Sequence, residues 1–244
     1  MQTAVYPSLE GRGVLVTGGA SGIGASIVTH FCAQGSRVVF LDMDLAAGEA
    51  LAAQTGARFS PCDLRDIAAL RAAIAAAGPV SVLVNNAARD DRHALEDVEP
   101  DYWDERLATN LRHQFFAAQA VAPAMKAAGA GSIINMGSVS WLLSQGGMPA
   151  YTAAKSAVRG LTRGLARDLG GFGVRVNEVV PGWIFTERQE RLWATPEAVA
   201  ETMKRQCIPQ KLFAPDVARM VLWLAADDSR MVTAQSFVVD GGSI

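Results

Sequence analysis

The stretch Thr17-Gly18-Gly19-Ala20-Ser21-Gly22-Ile23-Gly24 lies between an apolar run at residues 14–16 and a helical pattern of apolar residues that begins at Ile23. A strand, a glycine turn and a helix N-terminus in this order favour a phosphate group, because glycines let a ligand approach closely and the first N–H groups of a helix are unpaired. The spacing differs from the common G-x-G-x-x-G, since the third glycine counted from Gly22 would fall on Ile27. An ordinary glycine-rich connection is the alternative, and the rest of the chain has to decide between the two.

The composition is that of a globular protein. Of the 244 residues, 50% are hydrophobic and 19% are charged, which suits one α/β domain over residues 1–244. The net charge is −2 and no block is rich in lysine and arginine, so we expect neither nucleic-acid nor membrane binding. Residues 1–12 lack the pattern of a signal peptide, and Cys32, Cys62 and Cys207 form no metal-ligand spacing. We therefore expect a cytoplasmic protein without a metal site.

Strand-like apolar runs alternate with helical patterns along the whole chain. The predicted strands are residues 14–16, 37–41, 57–60, 80–84, 132–136, 174–180 and 237–239. The predicted helices include residues 45–54, 67–77, 102–128 and 151–169. Repeated β–α units with apolar strands predict a parallel sheet with helices on both faces, and right-handed crossovers make it a doubly wound sheet of Rossmann type. Residues 182–210 form a long insert outside this repetition, which we expect to cover the substrate.

Asp42 indicates which dinucleotide the glycine turn binds. It ends the second predicted strand, 18 residues after Gly24, where a carboxylate can accept hydrogen bonds from the ribose hydroxyls of a dinucleotide. A carboxylate there repels a 2′-phosphate, and the neighbouring Ser21 and Met43 carry no compensating charge. This pattern predicts NAD and not NADP as the cofactor. The alternative is an aspartate that simply begins a turn.

Tyr151 and Lys155 are four residues apart in a predicted helix and therefore share one face. A lysine ammonium beside a tyrosine lowers the phenol pKa, which would make Tyr151 a general base near neutral pH. Ser138 follows the strand at residues 132–136, at the carboxyl edge where open α/β sheets bind ligands, and its hydroxyl could orient a substrate oxygen. Taken singly, the three could be a helix-start aromatic, a surface lysine and a turn residue. Their combination with the glycine turn is informative.

These motifs resemble those of the classical short-chain dehydrogenase/reductase family, over essentially the whole chain. The resemblance implies that Asp63 contacts adenine, and that Asn85-Asn86-Ala87 lies beside the cofactor, with Ala88 where the family has glycine. It also implies that the segment from Pro181 to Thr186 contacts the nicotinamide end of the cofactor. The full set of implied cofactor contacts is Gly18, Ser21, Gly22, Ile23, Gly24, Asp42, Asp63, Leu64, Asn86, Ala87, Tyr151, Lys155, Pro181, Gly182, Ile184 and Thr186.

The same resemblance implies a catalytic set and an assembly state. Ser138, Tyr151 and Lys155 correspond to the catalytic serine, tyrosine and lysine of the family, and Asn110 to the asparagine that holds a water in its proton relay. In the family the lysine also binds the nicotinamide ribose. A homotetramer is the assembly that the resemblance implies.

A narrower resemblance, to bacterial aldose 1-dehydrogenases of the D-xylose type, concerns the substrate. It rests on residues 85–93, 138–141 and 187–197. The substrate contacts that it suggests are Ser138, Ser140, Trp141, Tyr151, Asp90, His93, Gln189 and Trp193, with Asp91, Arg92 and Arg188 as further polar lining. A solvated charged loop is the alternative for residues 89–93.

The sequence therefore predicts an NAD-dependent enzyme that oxidises a small molecule, the anomeric C1 hydroxyl of an aldose, to a lactone. Tyr151 would take the hydroxyl proton, Ser138 would steady the oxygen, and Asn110 would link Lys155 to solvent through water. One alternative is a dehydrogenase of another secondary alcohol, such as a 3-hydroxyacyl chain, a steroid or a polyol. Another is a dinucleotide-binding protein without catalytic activity.

Overall fold

The computed structural model describes residues 4–244, and a parallel sheet of seven strands lies at its centre. The strands are β1 (Gly13–Thr17), β2 (Arg37–Asp42), β3 (Arg58–Pro61), β4 (Val82–Asn85), β5 (Gly131–Met136), β6 (Val174–Pro181) and β7 (Ser236–Val239). Their order across the sheet is β3-β2-β1-β4-β5-β6-β7, and every neighbouring pair is parallel. The order reverses between β1 and β4, which is where a doubly wound sheet binds its ligand. The predicted fold class is confirmed.

Helices cover both faces of the sheet. They are α1 (Gly22–Ala33), α2 (Leu45–Thr55), α3 (Ile67–Ala77), α4 (Pro100–Leu107), α5 (His113–Ala128), α6 (Pro149–Gly170), α7 (Glu187–Trp193), α8 (Pro196–Arg205) and α9 (Ala214–Ala225). On one face α1 and α9 pack around Phe31 and Val221, and on the other α3, α5 and α6 pack around Leu70 and Leu169. Burying each such side chain contributes about 1.5–3 kcal/mol. No helix among residues 4–244 is long and apolar enough to cross a bilayer.

Some elements differ from the predicted ones. The predicted helix at residues 102–128 begins at Pro100 and is interrupted by a π-helical turn, Ala108–Arg112, between α4 and α5. β4 begins at Val82 and not at residue 80, and α9 is a helix beyond those that the sequence pattern predicts. The insert contains two helices, α7 and α8, and a parallel bridge between Ile184 and Leu212 closes it.

The glycine turn brings α1 unusually close to β1. A Cβ atom on Gly24 would lie 1.9 Å from the carbonyl oxygen of Gly18 and 2.7 Å from Asn86 Nδ2. Asn86 Nδ2 in turn donates to the carbonyl oxygens of Thr17 (3.1 Å) and Gly18 (2.8 Å). The turn therefore tolerates no side chain at position 24, and β4 is tied to it through Asn86.

We expect Gly24→Ala to destabilise the protein by about 1–3 kcal/mol, because the new methyl group must push helix and strand apart. Urea unfolding measures this change. Gly170→Ala is the matched control, since a Cβ atom there meets nothing within 4 Å. Equal stability of both variants would show that the turn can relax.

Candidate active site

A cleft of about 1270 Å³ opens at the carboxyl edge of the sheet, at the switch point between β1 and β4. All residues predicted to contact the cofactor line it, from Gly18 in the glycine turn to Thr186 at the start of the insert. Ser138, Tyr151 and Lys155 line the same cleft. The fold thus brings together residues that are far apart in the sequence.

The glycine turn forms the phosphate end of this cleft. Gly18 and Gly22 have φ angles of +64° and +54°, which glycine adopts without strain. Ser21 is the N-cap of α1 but its side chain caps no backbone N–H, and the first turn of α1 contains no acidic residue. A Cβ atom on Gly22 would lie 3.2 Å from Thr186 Cγ2, so the insert closes directly over the turn. An anionic pyrophosphate fits this cradle.

Asp42 lies at the end of β2, where the adenosine ribose of a dinucleotide would lie. Its Oδ2 accepts a hydrogen bond from Ala20 N (2.9 Å), and its Oδ1 accepts from Met43 N (2.8 Å) and Asp44 N (3.2 Å). The carboxylate is therefore held in one orientation by the backbone on both sides. Asp44 also lines the cleft, so two carboxylates stand at this position. Two negative charges at this position fit NAD, whose adenosine ribose carries no 2′-phosphate.

Arg65, which no sequence motif marks, lines the cleft beside Asp63. Its Nη2 lies 2.7 Å from Asp63 Oδ2 and its Nη1 lies 3.1 Å from Glu105 Oε1. The hydrogen bonds from Arg65 lower the pKa of Asp63. This cation is already bound by two carboxylates and is not free for a 2′-phosphate.

The catalytic residues come from β5 and α6. Ser138 follows β5, and its hydroxyl oxygen accepts a hydrogen bond from Ser140 N (3.1 Å). Tyr151 and Lys155 lie one turn apart on α6, with the Lys155 ammonium 5.7 Å from the centre of the Tyr151 ring. Lys155 is 1% exposed and donates a hydrogen bond of 2.7 Å to the carbonyl oxygen of Met136. The end of β5 thus positions both Ser138, which follows it, and Lys155, which is hydrogen-bonded to it.

The prediction that Tyr151 has a lowered pKa is wrong for this structure. Burial raises the pKa of Tyr151 to about 12, and the negative charge of Asp90 adds to the increase. Ser138, Arg92 and Arg188 act in the opposite direction. Burial also lowers the pKa of Lys155 to about 8, against the opposing effect of nearby carboxylates. The cations that favour the phenolate therefore come from the loop after β4 and from α7.

Asn110 does not line the cleft. It is fully buried in the π-helical turn, where its Oδ1 accepts from Arg89 N (2.8 Å) and its Nδ2 donates to the carbonyl oxygen of Arg106 (2.9 Å). Its side chain thus holds the backbone that leaves β4. Its carbonyl oxygen accepts from Gln114 Nε2 (3.1 Å).

Four of the predicted substrate contacts, Asp90, Ser140, Gln189 and Trp193, line the end of the cleft under the insert. Ion pairs hold α7 against the loop after β4: Arg188 pairs with Asp90, and its Nη2 lies 2.7 Å from Asp91 Oδ1. Gln189 Nε2 donates to Asp90 Oδ2 (2.7 Å). The insert therefore forms a polar roof over the catalytic residues.

His93 and Trp141 are corrections to the predicted set, because neither lines the cleft. His93 Nδ1 lies 3.0 Å from the Tyr102 hydroxyl oxygen, and His93 Nε2 accepts a hydrogen bond from Ala150 N (3.4 Å). His93 therefore braces the start of α6. Trp141 is half-buried, and its Nε1 has no hydrogen-bond partner within residues 4–244.

Arg92 lies at the same end of the cleft and differs from its charged neighbours. Its guanidinium group is 5.1 Å from the centre of the Trp193 ring, and Nη1 is 3.3 Å from Met148 Sδ. No carboxylate in the described part of the chain forms an ion pair with it. Arg92 therefore presents a cation without a direct ion-pair partner close to Tyr151, with the negative charge of Asp90 nearby.

A phosphate cradle at the switch point, beside a serine, a tyrosine and a buried lysine, defines an oxidoreductase that uses a dinucleotide. Comparison with known proteins agrees. The chain matches the family model described as enoyl-(acyl carrier protein) reductase over residues 18–243. The chain belongs to the short-chain dehydrogenase/reductase family and is an oxidoreductase that acts on CH–OH groups. The resemblance noted in the sequence is confirmed.

Individual relatives cover the whole chain. It is 50% identical over 252 residues to a probable galactose dehydrogenase of Rhizobium meliloti (strain 1021), covering 99% of this chain and 98% of that protein. It is 46% identical over 247 residues to a D-xylose 1-dehydrogenase of Caulobacter vibrioides (strain NA1000 / CB15N), covering 99% of both. A crystal structure of a 3-oxoacyl-(acyl-carrier protein) reductase with bound NAD from Brucella melitensis superposes with a TM-score of 0.90 at 33% identity, covering 98% of this chain and 94% of that one.

We expect Arg92→Gln to move the alkaline rise of the oxidation rate to higher pH, by about one unit. A base must lose its proton to act, and removal of a cation that lowers the pKa of Tyr151 disfavours the phenolate. The measurement is kcat/KM against pH. Arg163→Gln is the control, since it removes an equal charge from an exposed position of α6, the helix that carries Tyr151. Equal shifts in both variants would contradict a local effect of Arg92.

Proposed function

We propose that the protein is an NAD-dependent dehydrogenase that oxidises the anomeric C1 hydroxyl of an aldose to a lactone. The observation that carries the proposal is the polar lining of the substrate end of the cleft. Identity of 46–50% to proteins named for galactose and D-xylose supports it.

The substrate end suits a molecule with many hydroxyl groups. Ser140 is 2% exposed, and its Oγ has no hydrogen-bond partner within residues 4–244. Asp90 and Gln189, which are hydrogen-bonded to each other, add further polar groups, and Arg92 adds N–H groups that lie near Met148 Sδ and in no ion pair with a described carboxylate. An acyl chain or a steroid would leave the buried Ser140 hydroxyl without a partner, which is costly. The Trp193 ring can pack on the C–H face of a sugar.

In the proposed reaction Tyr151 accepts the proton of the C1 hydroxyl, and Ser138 holds the same oxygen by a hydrogen bond. Lys155 is anchored on the carbonyl oxygen of Met136, which fixes its ammonium group beside Tyr151. The backbone carbonyl of Asn110 is the proposed site of a water that carries the proton onwards. A bound nicotinamide supplies the acceptor for the hydride from C1, and the protein positions and polarises the alcohol.

The finer features of the proposal concern cofactor, assembly and location. Asp42 and Asp44 at the end of β2 support NAD over NADP, because two carboxylates repel a 2′-phosphate. The three cysteines are free thiols, which suits a cytoplasmic protein. We propose a homotetramer on the family resemblance.

A substrate panel tests the function. We expect NADH formation with one or more of D-xylose, D-galactose, L-arabinose and L-fucose, with a lactone as product, and none with their 1-deoxy analogues. A site that pairs with particular hydroxyls should also separate epimers strongly. 3-Hydroxyacyl thioesters, hydroxysteroids and polyols complete the panel, because the matching family model is described by an acyl substrate. Activity only with the thioesters, steroids or polyols would overturn the sugar assignment and leave the assignment as a dehydrogenase intact.

Tyr151→Phe is the control for the panel. It keeps the ring and removes the proton acceptor, so turnover should fall by about 10²–10⁴. Binding of NADH, followed by fluorescence, should change little. Loss of both properties would point to a folding defect, and retention of turnover would exclude Tyr151 as the base.

For the cofactor, we expect wild-type kcat/KM to be much higher with NAD than with NADP. Asp42→Ala combined with Met43→Arg should move the preference towards NADP, because the repulsion is removed and a phosphate partner is added. Met43→Arg alone is the matched variant, which separates the added cation from the lost carboxylate. A wild-type preference for NADP would show that the reading of Asp42 is incorrect.

A further inference from the structure

A row of polar residues crosses the sheet just below the cleft. Thr17, Asn85, Asn135, Glu178 and Ser236 are register partners on five neighbouring strands, β1, β4, β5, β6 and β7. The first four are 0% exposed. Asn85 Nδ2 donates to Asn135 Oδ1 (2.9 Å), so the row is hydrogen-bonded across strands. Glu178 is the one ionisable side chain in it.

The row faces α6, the helix that carries Tyr151 and Lys155. Asn135 and Glu178 lie two residues after Ile133 on β5 and Val176 on β6, so they share the face of the sheet that packs under α3, α5 and α6. Asn135 Nδ2 donates to Thr162 Oγ1 on α6 (3.0 Å), which fixes this orientation directly. Glu178, the next residue in the row, therefore points towards the underside of the catalytic helix.

Glu178 also contacts the backbone that holds the catalytic residues. A Cβ atom on Gly137 would lie 2.2 Å from Glu178 Oε1, so the carboxylate packs against the bare α-carbon between Met136 and Ser138. Met136 supplies the carbonyl oxygen that binds Lys155. Only glycine at position 137 leaves room for this carboxylate.

The hydrogen bonding of Glu178 is incomplete. Ser236 Oγ donates to Oε2, whereas Oε1 is buried and has no hydrogen-bond partner within residues 4–244. A buried carboxylate with one free oxygen is costly unless a nearby cation compensates it. Burial raises the pKa of Glu178, and the hydrogen bond from Ser236 and the cations Arg159 and Lys155, both on α6, act in the opposite direction.

Other charges also face Lys155. Asp90, from the loop after β4, favours its charged form together with Glu178. His113 on α5 is fully buried, and the positive charge of Lys155 helps to lower its pKa to about 3, so it stays neutral. Tyr151 lies one turn before Lys155 on the same helix. Glu178, which packs beside the Met136–Gly137 backbone that binds Lys155, is thus the carboxylate of the sheet that acts on Lys155.

We propose that Glu178 is a positioning residue for the reaction: its buried negative charge, held against the backbone that binds Lys155, opposes the loss of the Lys155 proton that burial favours. The effect of Glu178 on Lys155 does not depend on the proposed function, whereas its expected effect on the rate of sugar oxidation does. Removal of the charge should let Lys155 lose its proton at lower pH, because burial alone disfavours the ammonium form.

Direct titration of Lys155 tests the electrostatic part without cofactor or substrate. The chain has four lysines, Lys126, Lys155, Lys204 and Lys211, so lysine labelled with ¹³C at Cε gives few NMR signals, and Lys155→Met assigns the one of interest. Wild type should titrate at about 8. Glu178→Gln should lower this pKa by about one unit. Ser236→Ala and Glu178→Asp keep the charge and should leave it nearly unchanged.

The kinetic part uses the same variants with the best aldose of the panel. In Glu178→Gln the fall of kcat/KM at alkaline pH should begin about one pH unit earlier, while the KM for the sugar at neutral pH stays near that of wild type. Ser236→Ala should show the wild-type profile. If Glu178 were merely structural, its replacement would change stability or KM but not the pH at which kcat/KM begins to fall.

The outcomes separate the two proposals. If Glu178→Gln does not fold, Glu178→Met removes the same charge with an apolar side chain of similar size, and buried ion pairs often tolerate that replacement. An unchanged pKa of Lys155 in whichever of these variants folds would overturn the role of Glu178. A shifted pKa in a protein that oxidises no sugar would support Glu178 and refute the aldose assignment.

Discussion

The close contact between α1 and β1 is the constraint on which the rest of the structure depends. Gly24 lies against the Gly18 carbonyl, so the helix begins almost on top of the strand end and its first N–H groups point into the cleft. Asn86 then ties β4 to the same turn through the carbonyl oxygens of Thr17 and Gly18. The switch point of the sheet is thereby fixed in width before any ligand binds.

Much of the fold and part of the site follow from the sequence because their determinants are local. The glycine turn, the apolar strands and the i, i+4 pair Tyr151 and Lys155 are each visible in a few consecutive residues. The carboxyl ends of parallel strands meet at one edge, which predicts that Asp42 and Ser138 share a cleft. The direction of individual side chains is not local: His93 is held outside the cleft by contacts with Tyr102 on α4 and Ala150 on α6.

The electrostatics could not be predicted from spacing. The pKa of Tyr151 depends on its burial and on Arg92 and Arg188, which approach from two other segments of the chain. Glu178 carries no motif of its own, and its significance appears only when β5, β6 and β7 are aligned in register. The Lys155 ammonium is held by a backbone carbonyl, an acceptor that no sequence pattern marks. Acid–base properties of the site are therefore a property of the assembled sheet.

The bridge between Ile184 and Leu212 has a consequence for how such a protein diversifies. The bridge brings the two ends of the segment between them together beside β6, so the intervening residues form a closed loop. Its length and composition can vary without disturbing the register of the strands or the glycine turn. Evolution can thus exchange the roof of the cleft while the cofactor half remains unchanged, and one scaffold can give rise to enzymes that differ chiefly in the alcohol they accept.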